Sequence, residues 1–196
     1  MTTSNSGALV AGGLSSRRLS EHRKYAEAYK SRDYRMGRDR LRCAREDLEG
    51  LTGSLLDVGC GRGEVLRLAE ELGLEAFGAE VVPSLIDGKQ VVYGEAYDLP
   101  FADDSIDHVT MFDVMEHLLP EDAERTVREL ARVSRETVTL AISNVSDVRN
   151  GVELHINRRP YEDWDRDLRE WVPGEWEWKR GRNHVSETWV LRLRRP

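Results

Sequence analysis

Leu55-Leu56-Asp57-Val58-Gly59-Cys60-Gly61-Arg62-Gly63-Glu64-Val65-Leu66-Arg67 decides the reading of this chain. A short apolar run ends in an acid, glycines follow at alternate positions, and a helical pattern starts at once. That order is a strand, a tight turn and a helix start, with little side-chain bulk at the turn. Glycine lets backbone approach a ligand closely and adopt φ values barred to other residues. The following helix start offers unpaired N–H groups to anionic or polar atoms. The pattern points to a nucleotide-like cofactor.

Spacing separates the possible cofactors. Gly59, Gly61 and Gly63 give G-x-G-x-G, whereas a dinucleotide fingerprint needs G-x-G-x-x-G and a phosphate-cradling loop needs Gly-Lys-Ser/Thr. Asp57, placed directly before the loop, suits a cofactor that carries positive charge.

Outside this stretch, 196 residues suffice for one compact domain with a sizeable core. No apolar run is long enough to span a membrane, and nothing near the start reads as a secretory signal. Residues 1–16, rich in Ser, Thr, Gly and Ala, read as a flexible tail, residues 17–50 as an N-terminal helical lid, and residues 51–196 as the main domain. Cys43 and Cys60 make no disulfide framework, which favours a reducing, cytoplasmic setting.

The net charge of −7 is unevenly spread. From Arg17 to Arg45 eleven basic residues face four acids, so this segment carries +7 and the remainder −14. Such a segment could steer an anionic substrate. Without interleaved aromatic nucleic-acid motifs it reads instead as a solvated helix, so nucleic acid is the less favoured partner.

Periodicity supplies the frame. Leu19 to Leu48 is mostly helical, with a break near Gly37. Strands are expected at Ser54–Val58, Ala76–Val82, Gln90–Glu95, Ile106–Val114 and Glu136–Ser143. Helices are expected at Gly63–Leu72, Glu121–Val133 and Tyr161–Trp171, with Gly73 as a stop. Glu175–Lys179 and Glu187–Arg194 alternate like paired strands joined through Gly181 to His184. Strands alternating with helices, then a terminal hairpin, predict a doubly wound α/β fold. Its seven-stranded sheet is mainly parallel, with an antiparallel end.

In such a sheet a ligand lies beyond the carboxyl ends of the strands, beside the first strand. Glu80 ends the second strand, where an acid can accept hydrogen bonds from two ribose hydroxyls. Gly94-Glu95-Ala96-Tyr97-Asp98-Leu99-Pro100-Phe101 follows the third strand, and Met111-Phe112-Asp113-Val114-Met115-Glu116-His117-Leu118 closes the fourth.

Over Leu55 to Leu118 these four segments, in this order, resemble class I S-adenosylmethionine-dependent methyltransferases. The resemblance implies a Rossmann-like methyltransferase fold. It also implies cofactor contacts at Asp57, Gly59, Cys60, Gly61, Glu80, Val81, Glu95, Ala96 and Asp113. Glu95 stands where the family usually has Asp to take the adenine amino group. Tyr34 and Arg38 lie where related enzymes fold a helix over the site, and Arg35 or Arg38 could pair with the cofactor's carboxylate. Tyr25 and Tyr29 read as packing residues.

Methyl transfer needs nucleophile, methyl carbon and sulfur in line. A hydroxyl acceptor also needs help to lose its proton, from a base or a metal. His117 and His155 are the candidate catalytic residues, each following a strand at the functional edge. Asp113, Glu116 and His117 would share one face of a helical turn. With His155 they resemble the acid-x-x-Glu-His and later His of metal-dependent terminal-ribose 2′-O-methyltransferases. A related Glu-His segment occurs in ubiquinone-pathway O-methyltransferases. That resemblance implies a Mg, Mn, Fe or Zn site at Asp113, Glu116, His117 and His155.

The five tryptophans, Trp164, Trp171, Trp176, Trp178 and Trp189, read as core. Asn144, Asn157, Arg158 and Arg159 could bond a polar acceptor. Nothing resembling Asn-Pro-Pro-Tyr follows the fourth strand, which argues against methylation of DNA amino groups.

Three functions stand open. The first is methyl transfer to oxygen or nitrogen of a small polar metabolite, with no membrane partner. The second is metal-dependent 2′- or 3′-O-methylation of a ribose or nucleotide. The third is a non-catalytic S-adenosylmethionine-binding regulator.

Overall fold

The computed structural model describes residues 15–179 and 186–193. Two helices, α1 (Ser16–Ala28) and α2 (Arg38–Leu48), precede a run of alternating strands and helices. These are β1 (Ser54–Val58), α3 (Glu64–Glu71), β2 (Glu75–Glu80), β3 (Val91–Tyr93) and β4 (Ile106–Phe112). Then come α4 (Ala123–Val133), β5 (Ser134–Ser143), the short strands β6 (Val148–Arg149) and β7 (Val152–Glu153), α5 (Tyr161–Trp171), β8 (Glu175–Lys179) and β9 (Ser186–Arg192). The main sheet has the order β3-β2-β1-β4-β5-β9-β8, with β6 and β7 forming a separate two-stranded ribbon.

β1 to β5 run parallel and β9 and β8 antiparallel, as the sequence predicts. A parallel sheet covered on both faces needs strands apolar on both sides. Leu55, Leu56 and Val58 of β1 accordingly point into two cores. Leu56 lies opposite Phe77 and Val109, and its face packs under α4 and α5 through Val127, Leu130, Trp164 and Leu168. Leu55 packs on the other face with Ala44 and Leu48 of α2 and Val65, Leu66 and Leu68 of α3. Because β1 sits between β2 and β4, the chain changes direction beside it, and a crevice opens at its carboxyl end.

Several boundaries differ from expectation for local reasons. β2 stops at Glu80 because its carboxylate accepts the N–H groups of Val81 and Val82, turning the chain. β4 stops at Phe112 because Asp113 has φ 55°, a left-handed conformation that ends an extended run. α4 is preceded by a 3-10 turn at Pro120–Asp122. Ser16 lies in α1, with Ser15 as its cap accepting from Arg18 N, so the helix starts within the segment read as tail. The predicted turn Gly181 to His184 and residues 1–14 lie outside the described residues. The β6–β7 ribbon went unpredicted, although Asn150-Gly151, both at positive φ, is a strong hairpin signal. Among the described residues no helix is long and apolar enough to cross a membrane.

Candidate active site

The glycine loop turns beyond β1 with Gly59, Gly61 and Gly63 all left-handed, at φ 74°, 55° and 73°. A Cβ at Gly59 would come within 2.6 Å of Val114, and one at Gly61 within 2.4 Å of the Tyr29 hydroxyl. The turn is tied to β2 by Gly59 N donating to Ala79 O at 2.8 Å. Glu80 is buried and accepts three main-chain N–H groups, from Gly61 at 2.9 Å, Val81 at 2.8 Å and Val82 at 3.0 Å. Burial pushes its pKa up, and these amides oppose the shift. The carboxylate therefore clamps the glycine loop to the end of β2.

Asp57 is buried at the end of β1 and accepts the Thr110 hydroxyl at 2.8 Å. Burial raises its pKa to about 7, with the Thr110 bond acting against it. Glu95, beyond β3, accepts the Tyr93 hydroxyl and lies 3.3 Å from His22 Nε2 on α1. Burial alone would raise this acid. Hydrogen bonds from His22 and Tyr93 outweigh it and hold the carboxyl below its usual range.

These groups border one cavity of about 470 Å³ that continues to the segments after β4 and β5. α1 lines it with Arg18, Glu21, His22 and Tyr25. Arg18 forms a bidentate ion pair with Asp122, Nε to Oδ2 at 3.0 Å, and Tyr25 donates to Leu154 O at 3.2 Å. Tyr25 and Tyr29 line the cavity, which corrects their reading as packing residues alone.

His117 and His155 meet in the lining of this cavity, ring centroids 4.6 Å apart and nearly perpendicular. Nδ1 of His117 donates to Leu154 O at 3.2 Å, and Nδ1 of His155 to Val145 O at 2.6 Å. Burial, reinforced by His155, lowers the His117 pKa to about 4. Glu116, beside them, is wholly buried. Its Oε1 accepts Ser143 N at 3.1 Å, while Oε2 has no hydrogen-bond partner among the described residues.

The single helical face expected for Asp113, Glu116 and His117 does not form. Met115–His117 is a 3-10 turn, and the left-handed Asp113 ahead of it directs its carboxylate to Arg40, Nε to Oδ2 at 3.4 Å. A ring nitrogen of each histidine and a carboxylate oxygen of Glu116 lie within 4.8 Å of one another, and Asp113 is not part of that group.

Of the residues proposed from sequence for the cofactor, Asp57, Gly59, Cys60, Gly61, Glu80, Val81, Glu95, Ala96, Asp113 and Tyr34 border the cavity. Arg38 does not. It is exposed at the start of α2, and Arg35 lines the wall instead. Asn144, Asn157, Arg158 and Arg159 also lie away from the cavity lining. Asn157 is buried and donates to Met115 O and Glu116 O, bracing the turn, and Arg159 stacks on Trp164 at 3.8 Å. None of the five tryptophans lines the cavity. Arg18, His22 and Arg149 line it without having been singled out, and the Asn-Gly hairpin signal could have placed Arg149.

Residues 56–142 match the family described as the methyltransferase domain. An O-methyltransferase, resE, of Aspergillus sclerotiorum is 32% identical over 105 residues, covering 46% of this chain and 39% of that protein. Ajmaline N-methyltransferase of Rauvolfia serpentina is 29% identical over 111 residues, covering 50% of this chain and 38% of that protein. The chain thus spans about two-fifths of the length of these curated relatives. Among solved structures, a Burkholderia thailandensis 1,6-didemethyltoxoflavin-N1-methyltransferase with 1,6-didemethyltoxoflavin and S-adenosylhomocysteine shares the fold. Its TM-score is 0.72 at 16% identity, covering 93% of this chain and 92% of that one.

Proposed function

From a chain that belongs to the class I S-adenosylmethionine-dependent methyltransferases, we propose methyl transfer from S-adenosylmethionine to an oxygen or nitrogen of a small polar metabolite. One observation carries the reading. The glycine loop and the His117–His155 wall border the same cavity, so donor and acceptor can meet without the fold rearranging. Its volume falls in the usual range for small-molecule sites.

The residues fit the donor. Left-handed Gly59 and Gly61 let backbone approach the cofactor, and Asp57 answers its positive charge. The carboxylate of Glu80, held rigidly by three amides, faces the ribose hydroxyls. Glu95 takes the adenine amino group, and Arg35 with Tyr34 meets the carboxylate end. The cofactor supplies the electrophilic methyl. The chain's part is to align the acceptor lone pair with it and to exclude water, with α1 forming part of the lining. Because Nδ1–H of His117 and of His155 is engaged by a carbonyl, each ring keeps its Nε2 lone pair for the acceptor end of the cavity.

The small-metabolite reading is further supported by the N-terminal charges. Arg17 pairs with Glu121, Arg18 with Asp122, Lys24 with Glu21, Lys30 with Glu27, Arg42 with Asp39 and Arg45 with Glu71. Much of the basic segment is therefore matched within the protein, which leaves less for a phosphate backbone.

Incubation with methyl-labelled S-adenosylmethionine and pools of hydroxyl- and amine-bearing metabolites tests the proposal. Label should move to a small product with formation of S-adenosylhomocysteine. Cofactor binding without turnover on any pool, alone or with divalent metal, would point to a non-catalytic binding protein instead.

A further inference from the structure

We propose that Glu116, His117 and His155 hold a divalent cation at the acceptor end of the cavity. The proposal deepens the methyl-transfer reading by favouring an oxygen acceptor, and it rests on that reading only for the ion's purpose, not for its binding.

Three ligand atoms from two loops converge within 4.8 Å. Each imidazole is already oriented as a ligand would be. Nδ1–H of His117 is fixed on Leu154 O and Nδ1–H of His155 on Val145 O, which leaves the lone pair on Nε2. The loop carrying His155 is held as well, because Glu153 Oε1 accepts its main-chain N–H at 2.9 Å.

Glu116 supplies an independent sign. Its side chain is fully buried, Oε1 is pinned by Ser143 N, and Oε2 has no hydrogen-bond partner among the described residues. Leaving a buried carboxylate oxygen unpartnered is costly. The nearby guanidinium of Arg40 faces Asp113 rather than this oxygen. A cation between Glu116 and the two rings would remove the cost.

The donor set also selects the ion. Because Asp113 is turned to Arg40, the site offers one carboxylate and two imidazoles, not two of each. Mixed nitrogen and oxygen donors suit Mn²⁺, Fe²⁺, Co²⁺ or Zn²⁺, whereas Mg²⁺ and Ca²⁺ favour oxygen throughout. Three protein ligands leave coordination positions open for an exogenous group. A hydroxyl bound there would lose its proton to solvent more readily. The oxygen lone pair would then form the C–O bond as the S–CH₃ bond breaks, its electron pair remaining on sulfur. An amine acceptor gains nothing comparable.

Cobalt(II) titration of the tag-free, metal-free chain, without cofactor or acceptor, reads the site by visible absorption. One equivalent should bind and zinc should displace it. His155→Ala and His117→Ala should each weaken binding at least about 100-fold, whereas Asp113→Asn should retain it. S-adenosylhomocysteine binding and circular dichroism of the same proteins establish that the variants fold. No stoichiometric cobalt uptake by the wild type, or equal uptake by the folded histidine variants, would overturn the site. Cobalt binding without S-adenosylhomocysteine binding would instead sink the methyl-transfer reading and leave the metal site standing.

Discussion

Arg40, buried, and Asp113, half-buried, form an ion pair beside the turn that follows β4, Nε 3.4 Å from Oδ2. Arg40 also lies over the Phe112 ring at 4.6 Å and is only 8% exposed. The pair joins α2 to the end of β4, and it fixes which way the left-handed Asp113 points. The pair therefore ties the N-terminal helix α2 to the turn that carries Glu116 and His117.

Replacing Arg40 by Leu leaves the half-buried Asp113 carboxylate without its cation. Leaving a half-buried charge without its partner in this way costs about 1–3 kcal/mol. Urea unfolding should show that loss, and the double variant Arg40→Leu/Asp113→Asn should recover part of it. A single-variant cost below about 1 kcal/mol, or no recovery in the double variant, counts against the coupling.

Asp57 makes cofactor binding and stability depend on pH. Its folded pKa, raised by burial to about 7, exceeds the ordinary 3.8, with the Thr110 bond and Arg40 lowering it and Glu80 and Glu64 raising it. The stability it contributes is thus fully present below 3.8 and is lost as pH rises through about 7. Asp57→Asn lacks this dependence, so melting temperatures should shift in the variant's favour between pH 4 and 7. A cationic cofactor favours the ionised form, so wild-type affinity for S-adenosylmethionine should rise from pH 6 to 8 with proton release. A stability gap independent of pH would show that Asp57 does not titrate there.

Gly61→Ala would place a Cβ 2.4 Å from the Tyr29 hydroxyl at φ +55°. A left-handed conformation costs a residue with a Cβ about 1–2 kcal/mol before any clash. The variant should bind S-adenosylhomocysteine at least about tenfold more weakly. Adding Tyr29→Ala should relieve the clash but not the backbone strain. Wild-type affinity in Gly61→Ala would mean that the loop does not contact the cofactor.

His117→Ala and His155→Ala separate acceptor from donor. Once the labelled-methyl screen has identified an acceptor, each should lower turnover by about 10²–10⁴-fold, the usual range for losing the assistance that removes the acceptor's proton. S-adenosylhomocysteine affinity should stay within about threefold, because the rings follow β4 and β5 rather than belonging to the glycine loop or the end of β2. Unchanged turnover in both would remove the histidines from the reaction.

What was legible in the sequence is what local pattern determines. Asp57, the three glycines and Glu80 sit at strand ends, where alternation, apolar runs and glycine spacing fix their place. Trp164 and Trp189 are fully buried, in agreement with the core reading of the tryptophans. The rest depends on irregular backbone. One residue at positive φ, Asp113, redirects a carboxylate from the turn to Arg40, which no helical spacing could reveal. The irregular stretch of residues 29–37 decides between Arg35 and Arg38, and the path of α1 brings Tyr25 and His22 onto the cavity.

The most direct measurement of a methyl-donor site at the glycine loop is calorimetric titration of S-adenosylhomocysteine into wild type, Asp57→Ala and Glu80→Ala. The wild type should bind one equivalent per chain. Each substitution should weaken binding by roughly tenfold to a hundredfold, corresponding to the loss of a charge-assisted hydrogen bond of about 1.5–3 kcal/mol. Equal affinity in all three proteins would contradict the placement of the methyl donor in this loop.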